Sequence, residues 1–551
     1  MKGKRIASLA LSSLLLLPAL GGLSGCSGDA AITLRVYNWE EYIDEGGKGS
    51  FVYDELHEED ETTHKVTEIE SDIVDADYIA NYEQETGRTF NKNGSDMITD
   101  FEHWYKQQYG ISVRVEYSTF GTNEDMYNQI KLGNKYDLAC PSEYMIMKLA
   151  SEDLLEPLGN EFLDPNNELN YYIRNVSPFI GEKFESGILD VPSAPEDDPP
   201  HWRDYAAGYM WGTTGLIYNP ETVDESDLEQ GWKIMCDSKY RGKVTTKDNV
   251  RDSYFVALAI LYRDELLTLK EQNENGAISD KDYTASVTRI MNRRDNATVL
   301  AVEKILLQMK DNIFGFETDT GKSDMVKGTI ALNFAWSGDA VYALDEAEGQ
   351  GVSLNYYMPR ESANLFFDGW VIPKDANRSP QTKQAAQAFI NFMSLPRNAV
   401  RNSYYIGYTS VIGGEEMFEY AENTYGAEED DETAVEYDLS YFFGTDRDYI
   451  ISVPEEQLKR QLYAQYPPQS DTLRCAVMDY YGKEADDMIN ELWTRVKGES
   501  LDAWAIAVIC VTAAVIIGGA LLSRFGHRID FFRRKPKKGY TLVKQERIVL
   551  E

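Results

Sequence analysis

The stretch LRVYNWEEYID, residues 34–44, joins a predicted strand to side chains that suit ligand binding. Its first part, Leu34–Tyr37, is a short apolar run typical of a β-strand. Trp39, Glu40, Glu41 and Tyr42 follow, so two aromatic rings and two carboxylates stand at the end of that strand. Aromatic faces and carboxylates together suit an organic cation. Exposed Trp and Glu are also common on ordinary surfaces, so the rest of the chain has to decide between a site and a surface.

The composition limits the classes of partner. The 551 residues carry a formal net charge of −38 at pH 7, from 92 acidic and 54 basic side chains. This balance argues against nucleic acid, which proteins bind by neutralising phosphates with Lys and Arg. It favours a cationic partner, or solubility outside the cell. The length allows about two to four domains of ~150 residues each.

The N-terminus, MKGKRIASLALSSLLLLPALGGLSGCSG, predicts a secretory signal. A basic start is followed by an apolar run that is too short for an ordinary membrane span, which gives a signal peptide over residues 1–25. The segment Leu23–Cys26 is similar to the lipobox of bacterial lipoproteins. We therefore expect Cys26 to be lipidated.

A second apolar run, AWAIAVICVTAAVIIGGALL, covers residues 503–522. About 20 apolar residues in a helix cross the ~30 Å hydrocarbon core of a bilayer, so this run predicts a transmembrane helix. The basic tail, residues 523–551, is predicted to be cytoplasmic by the positive-inside rule. Residues 27 to about 500 are therefore predicted to lie on the extracellular or periplasmic face of the cell membrane, held at both ends.

Between these ends, short strands alternate with helices, which predicts an α/β fold with largely parallel sheets. The predicted strands are Leu34–Tyr37, Ser112–Tyr117, Tyr136–Cys140, Gly215–Tyr218, Lys243–Thr246, Thr329–Phe334 and Trp370–Ile372. The predicted helices are Asp100–Tyr109, Asp125–Leu132, Ser253–Leu267, Ala301–Met309 and Thr382–Met393. An acidic insert over residues 44–98 interrupts the pattern, and such runs of like charge are typical of solvated loops.

Enzymatic motifs are missing from the sequence. It has five histidines and none of the zinc-protease, nucleophile-elbow, phosphate-loop or dinucleotide signatures. The sequence therefore predicts a protein that is not an enzyme, without a cofactor and without a bound metal. Paired carboxylates would still permit glycoside hydrolysis, which stays as the enzymatic alternative.

Six short segments beside predicted strands instead repeat one kind of pattern, an aromatic residue next to a carboxylate or a small polar residue; the segment at 248–252 lacks the aromatic. Open α/β sheets bind their ligands beyond the carboxyl ends of their strands. The segments cover residues 39–42, 141–144, 209–212, 248–252, 336–339 and 366–370.

In this order the segments resemble the spermidine/putrescine-binding proteins of polyamine ABC importers. The stretches that carry the resemblance include YNWEEYI, YDLACPSEY, YMWGTTGLIYNP, KVTTKDNVRD, NFAWSGDA and FFDGWVIPKDANR. They cover most of residues 31–498 in collinear order and leave out the acidic insert and the C-terminal apolar run. The resemblance implies a two-lobed, type II periplasmic-binding-protein fold with a ligand cleft and a hinge, and an importer permease as partner.

The resemblance also implies where the chain crosses between lobes. Lobe 1 is expected over residues 27–212 and 339–376, and lobe 2 over residues 213–338 and 377–500. The crossings should fall near residues 212–215, 336–339 and 375–379.

The resemblance further implies a set of ligand contacts. They are Trp39, Glu40, Tyr42, Ser142, Tyr144, Trp211, Asn249, Asp252, Trp336, Asp339 and Asp368. Glu40 departs from the family pattern, which commonly has a small hydroxyl residue there, and Asn249 stands where the family can have an Asp. These two differences leave open whether the polyamine is spermidine or putrescine. The alternatives are another small solute in the same fold, or a membrane-anchored polyamine sensor or adaptor.

Overall fold

The computed structural model describes residues 31–45, 57–59, 66–68 and 96–498, apart from positions 196, 319 and 429. The chain divides into two compact units between residues 490 and 491. The fold and the cleft below belong to the first unit, and the second is described only over residues 491–498.

The predicted membrane attachments fall on other parts of the chain. The signal peptide, Cys26, the helix at 503–522 and the tail at 523–551 all lie outside the described residues. Within the described residues, no helix has both the length and the apolar character needed to cross a membrane.

The strands are numbered in chain order. They are β1 (Ile32–Trp39), β2 (His57–Glu59), β3 (Val66–Glu68), β4 (Val113–Phe120), β5 (Leu138–Ala139), β6 (Leu155–Glu156), β7 (Ala206–Tyr218), β8 (Val244–Lys247), β9 (Gly315–Glu317), β10 (Leu332–Trp336), β11 (Asn355–Tyr357), β12 (Ala363–Pro373), β13 (Thr409–Ser410), β14 (Val435–Asp438), β15 (Ile450–Val453) and β16 (Cys475–Ala476).

The helices follow the same convention. They are α1 (Met97–Tyr109), α2 (Asn123–Lys131), α3 (Glu143–Ser151), α4 (Tyr171–Asn175), α5 (Pro178–Ser186), α6 (Trp202–Tyr205), α7 (Val250–Leu261), α8 (Arg263–Glu274), α9 (Asp280–Met291), α10 (Asn296–Asn312), α11 (Thr320–Val326), α12 (Ser337–Gly349), α13 (Pro380–Met393), α14 (Pro396–Ile406), α15 (Glu415–Tyr425), α16 (Ser440–Phe443), α17 (Gln461–Gln465), α18 (Gln469–Thr472) and α19 (Lys483–Lys497). Short 3-10 turns cover Glu225–Cys236, Ser238–Tyr240 and Glu455–Lys459.

A mixed sheet organises the first unit, with the strand order β4-β1-β5-β12-β7-β10-β8-β9. Strands β4, β1 and β5 form one parallel group, and β10, β8 and β9 form another. The two long strands β7 and β12 join the groups and run antiparallel to each other. The sheet is therefore parallel at both ends and antiparallel in its centre, rather than parallel throughout.

Strand β7 passes from one group to the other. Its first residues pair with β12, and from Thr214 to Tyr218 it pairs with β10. Glycines stand at this change of partner because neighbouring side chains leave no room for a Cβ. A Cβ on Gly215 would lie 2.5 Å from the Tyr356 ring, and one on Gly212 would meet the side chains of Ser337 and Phe366. The predicted crossing near residues 212–215 coincides with this point.

The long central strands were predicted only in part. Every residue of β7 and of β12 is buried. Strands covered on both faces lack the alternation that marks a half-buried strand, and glycines obscure their limits further. The predicted helix Ser253–Leu267 is wrong in one respect, because it is two helices, α7 and α8, which meet at Tyr262.

The acidic insert contains a short antiparallel pair, β2 with β3. The sequence predicted a solvated loop over residues 44–98, without strands. The backbone pairing joins His57 to Glu68 and Glu59 to Val66.

The lobe boundaries at residues 212, 338 and 376 stay a prediction, but two helices bear on them. In α13, the Phe389 ring packs at 5.0 Å from that of Phe101 in α1. In α12, Leu344 belongs to a buried cluster with Ile217 and Tyr356. This packing favours assigning α13 to the β4-β1-β5 side and α12 to the β10-β8-β9 side, the reverse of the predicted assignment.

Candidate ligand-binding cleft

The carboxyl ends of both parallel groups open onto a cavity of about 570 Å³. Its walls include the segments that follow β1, β5, β8 and β10, together with residues of β12. Ligand pockets for small molecules typically enclose about 300–1,000 Å³. The cavity therefore has the size and the position of a small-molecule site.

Ten of the eleven predicted contacts line this cavity. They are Trp39, Glu40, Tyr42, Ser142, Tyr144, Asn249, Asp252, Trp336, Asp339 and Asp368. They come from segments more than 300 residues apart in the chain, which the sheet brings to one place.

The side chains at the end of β1 and in the turn that follows differ in their exposure to solvent. Glu40 is exposed at the cavity wall, and the Trp39 ring packs 4.6 Å from Phe120. Glu41 has a φ of 52°, in the left-handed region that non-glycine residues seldom adopt. Beyond this turn Tyr42 is buried, and its hydroxyl donates a 2.6 Å hydrogen bond to Asp368 Oδ2.

Asp368 presents a buried carboxylate that only neutral groups of the described residues contact. Its Oδ1 accepts a 2.7 Å hydrogen bond from Ser142 Oγ, and its Oδ2 accepts one from Tyr42. Burial raises the pKa of Asp368 to about 6, although these two hydroxyl donors oppose the rise. The group stands in β12 directly before a bulge at Gly369.

A second buried carboxyl, Glu143, lies beside it in the first turn of α3. The backbone N–H of Phe367 donates to Glu143 Oε2 at 3.1 Å. Burial raises the pKa of Glu143 to about 8, and the nearby Asp368 carboxyl adds to the rise. The next residue, Tyr144, is held by an N–H of Asn123 at 3.1 Å.

The start of α7 supplies a third buried acid, Asp252. Burial raises the pKa of Asp252 to about 7, against the favourable charge of Lys247 and a hydrogen bond from the Trp336 side chain. Asn249 serves this helix as its N-cap. Its Oδ1 accepts from the N–H groups of Arg251 and Asp252, at 2.8 and 3.2 Å.

Asp339, at the start of α12, is surrounded by positive charge. Lys247 Nζ lies 2.9 Å from Asp339 Oδ2, and Lys322 Nζ lies 3.5 Å from Oδ1. The Tyr408 hydroxyl also donates to Oδ1, at 3.1 Å. Burial disfavours the charged carboxylate, but the two ammonium groups outweigh it, and the pKa of Asp339 is lowered.

Comparison with known proteins decides the family. The sequence model of the bacterial extracellular solute-binding proteins matches residues 96–415, more than half of the chain. This chain belongs to that family. It is a family of binding proteins for transport rather than of enzymes, and the resemblance predicted from the motifs is confirmed.

Two relatives of this solute-binding protein illustrate the similarity. The spermidine/putrescine-binding periplasmic protein of Escherichia coli K12 is 24% identical over 298 residues, which are 54% of this chain and 70% of that protein. The putrescine-binding periplasmic protein SpuD of Pseudomonas aeruginosa UCBPP-PA14 is 26% identical over 313 residues, 55% of this chain and 72% of that protein.

A solved structure from Listeria monocytogenes, provisionally described as a spermidine/putrescine ABC transporter, matches with a TM-score of 0.52 at 23% identity. The match covers 85% of this chain and 99% of the Listeria chain. The two-lobed α/β periplasmic-binding-protein fold predicted for the solute-binding protein is therefore confirmed.

Trp211 corrects the predicted set of contacts. It does not line the cavity; its side chain is fully buried on β7 and stacks on Phe442 at 5.4 Å. Phe179 packs against the same indole at 5.4 Å. Trp211 therefore belongs to an aromatic core of the solute-binding protein and not to its cleft.

Several groups at the cleft were not predicted from the sequence. Glu143 stands between the predicted contacts Ser142 and Tyr144, so its position was a usable signal. Lys247 ends β8 and precedes the predicted Asn249, but its pairing with a carboxylate 92 residues away carries no local signal. Tyr408 was also missed, and its ring packs 4.8 Å from that of Tyr42.

Proposed function

We propose that this protein is the extracellular substrate-binding component of an ABC importer and that it takes up a polyamine, spermidine or putrescine. One observation carries the proposal: Glu143 and Asp368 are buried beside a cavity with aromatic walls, and neither forms an ion pair with a described Lys or Arg. A buried carboxylate without a countercharge is costly. An ammonium ligand supplies that charge.

The chemistry of a polyamine fits the two kinds of wall. Its ammonium groups form charge-assisted hydrogen bonds with carboxylates, and a cation over a Trp or Tyr ring gains about 0.5–2 kcal/mol. Its methylenes gain about 0.8 kcal/mol each when they leave water. Trp39, Tyr42 and Tyr408 provide apolar and aromatic surface for them.

The predicted lipid on Cys26 and the predicted helix at 503–522 complete this proposal. Both would hold the binding lobes at the membrane, close to a permease in the same bilayer. Closure of the two lobes around the ligand is the motion expected of such a protein.

Calorimetric titration of the detergent-purified full chain with putrescine and spermidine tests the binding step. We expect at least one of them to bind at micromolar concentration, and the absence of binding by both would overturn the proposal. Asp368→Asn should weaken binding at least about 10-fold. Asp311→Asn is the matched control, because Asp311 is exposed and does not line the cavity.

Uptake of labelled polyamine separates an importer component from a sensor. Cells that lack this protein should lose uptake, and the wild-type chain should restore it while Asp368→Asn does not. Undiminished uptake in cells without the protein would favour the sensor.

A further inference from the structure

Lys247 is a fully buried lysine behind the cavity wall. Its ammonium lies 2.9 Å from Asp339 Oδ2 and 3.5 Å from Glu317 Oε1, and it donates to the Thr318 carbonyl at 2.6 Å. Its side chain is 1% exposed. The ammonium is therefore fixed among oxygen atoms of the protein.

The same ammonium also covers an aromatic ring of the cleft. Lys247 Nζ lies 4.3 Å from the centroid of the Trp336 ring, within the range of a cation–π contact. An aromatic face and a carboxylate are the two features that we predicted for the capture of a ligand ammonium by Trp336 and Asp339. In this protein a lysine of the chain itself makes both contacts.

The second oxygen of Asp339 is occupied as well. Lys322 lies 3.5 Å from Oδ1, and Tyr408 donates to it. Lys322 also approaches Glu41 at the cavity wall, at 3.7 Å. Two lysines thus face the carboxylates of Asp339 and Glu317, while Asp252 accepts a hydrogen bond from Trp336 at the same end of the cleft.

The Asp368 end has two buried acids and different neighbours. Asp368 accepts hydrogen bonds from two hydroxyl groups, and Glu143 accepts one from a backbone N–H. Arg251, the nearest cation in sequence to Asp252, stacks between Tyr144 and Tyr481 and bonds to Asp486 and the Asp479 carbonyl. Among the described residues, the carboxyls of Asp368 and Glu143 therefore lack the lysine partners that Asp339 has.

We propose that Lys247, together with Lys322, is a built-in countercharge that closes the Trp336–Asp339 subsite to ligand ammonium groups, so that the cleft reads one cationic end of its ligand. This inference rests on the proposed polyamine function and deepens it. The ligand class is a primary amine whose ammonium binds at Asp368, with an alkyl chain along the aromatic wall. The far end of the ligand meets Lys322, which can donate a hydrogen bond, and the Tyr408 hydroxyl oxygen, which can accept one, so it does not need a charge.

Two ligands of similar length test whether the cleft recognises one or two ammonium groups. Putrescine carries two ammonium groups, and N-acetylputrescine carries one ammonium and one neutral amide. We expect calorimetric affinities of the full chain for the two amines to agree within about 5-fold. A loss of more than about 5-fold for N-acetylputrescine would overturn the inference and leave the proposed function standing. Failure of the wild type to bind any polyamine would overturn both.

Paired variants test the two ends separately. Asp368→Asn should weaken the binding of both amines equally, by at least about 10-fold. Asp339→Asn should change the affinity for putrescine by less than about 5-fold. A larger loss in Asp339→Asn, with an unchanged circular-dichroism spectrum, contradicts the closed subsite.

Lys322→Gln provides a variant that does not disturb the buried lysine. Because Lys322 lines the cavity, its removal should take away the ammonium that faces Asp339 Oδ1 and leave the Tyr408 hydroxyl on that oxygen. We expect the affinity for putrescine to rise at least about 5-fold relative to the affinity for N-acetylputrescine. An unchanged ratio of the two affinities would show that Lys322 does not shield Asp339.

Discussion

Asp339 and Asp368 line the same cavity and are equally buried, at 5% exposure each, yet their pKa values are shifted in opposite directions. Lysine partners lower the pKa of Asp339, whereas burial raises the pKa of Asp368 to about 6. The difference lies in the neighbours: two ammonium groups at one end, two hydroxyl groups at the other. Burial alone therefore does not make a carboxylate available to a ligand; the absence of an internal countercharge does.

The comparison also separates stability from function. The Asp339 end is an ion-pair network formed within the protein itself. The Asp368 end keeps a charge requirement that the described residues do not meet, as is usual where a site is arranged for a ligand. Substitutions at the two ends should consequently change stability in opposite directions, and those at the Asp368 end should have the larger effect on binding.

The largest effect should come from Lys247→Met. Removal of one partner from a buried ion pair leaves the other charge uncompensated and typically costs about 3–5 kcal/mol. Asp339 and Glu317 would both lose their buried partner. We expect the free energy of unfolding, measured by urea denaturation, to fall by that amount.

Lys239→Met is the matched control for this variant. Lys239 also contacts two carboxylates, Asp224 and Asp227, but it is half-exposed at the surface. Solvent screens such pairs, and many contribute nothing measurable to stability. Equal losses in the two variants would contradict the structural role assigned to the buried Lys247.

The next effect, of opposite sign, should come from Asp368→Asn in the ligand-free protein. A carboxyl whose folded pKa is raised stabilises the fold below its unfolded value near 4, and this contribution disappears as the pH rises through about 6. The variant has no carboxyl to ionise. At pH 8 we expect it to exceed the wild type by on the order of 2 kcal/mol in the free energy of unfolding, since each pKa unit corresponds to about 1.4 kcal/mol.

Asp339→Asn should show the reverse dependence on pH. Its lowered folded pKa gives a stabilisation that is present above the unfolded pKa and is lost as the pH falls. The wild type should therefore be more stable than Asp339→Asn at pH 7, with a smaller difference at pH 3. A gain in stability for both Asn variants at pH 8 would remove the distinction between the two ends.

Much of the cleft could be predicted from the sequence because strand ends are local features. Trp39 and Ser142 follow apolar runs directly, so their placement at the edge of a sheet follows from the order of elements. Trp211 does not stand at the end of a strand. It lies inside β7, where every residue is buried, and a uniformly buried strand does not reveal which face a side chain takes.

Charge pairing was the part that the sequence could not reveal. Lys247 meets Asp339 across 92 residues, and only the parallel pairing of β8 with β10 brings their strands together. The same limit applies to Glu143, whose partner is a backbone N–H on β12. The chemical types present at the cleft were predictable, whereas the net charge of each end required the tertiary structure.

A smaller effect should appear in the pH dependence of binding. An ammonium ligand binds the ionised carboxylates, and the pKa values of Asp368 and Asp252 lie at about 6 and about 7. Glu143, with a pKa of about 8, faces the same end. We expect the affinity for putrescine to fall about 10-fold, or ~1.4 kcal/mol, between pH 8 and pH 5.5.

Proton release accompanies that change. Titrations in buffers of different ionisation enthalpy at pH 6.5 should show that protons leave the protein when putrescine binds. Asp368→Asn should flatten the affinity profile at its lower end. A profile that is flat in the wild type would place the ligand ammonium away from these carboxyls.

The smallest effect should come from Glu40→Ser, at the position where we predicted a departure from the family pattern. Glu40 is exposed at the mouth of the cavity, so water and salt screen its charge. A rim charge mainly changes the association rate and its salt dependence, whereas a buried charge changes dissociation. Stopped-flow measurements should therefore show a reduction in the association rate of at most about 2-fold at low salt, and none at about 1 M salt, where the Debye length is ~3 Å. The Asp368→Asn defect should persist at high salt, because salt screens a buried charge much less than an exposed one. A Glu40→Ser defect as large and as salt-resistant as that of Asp368→Asn would instead make Glu40 part of the ammonium site, and the anionic end of the cleft would then extend from the buried strand β12 to the turn after β1.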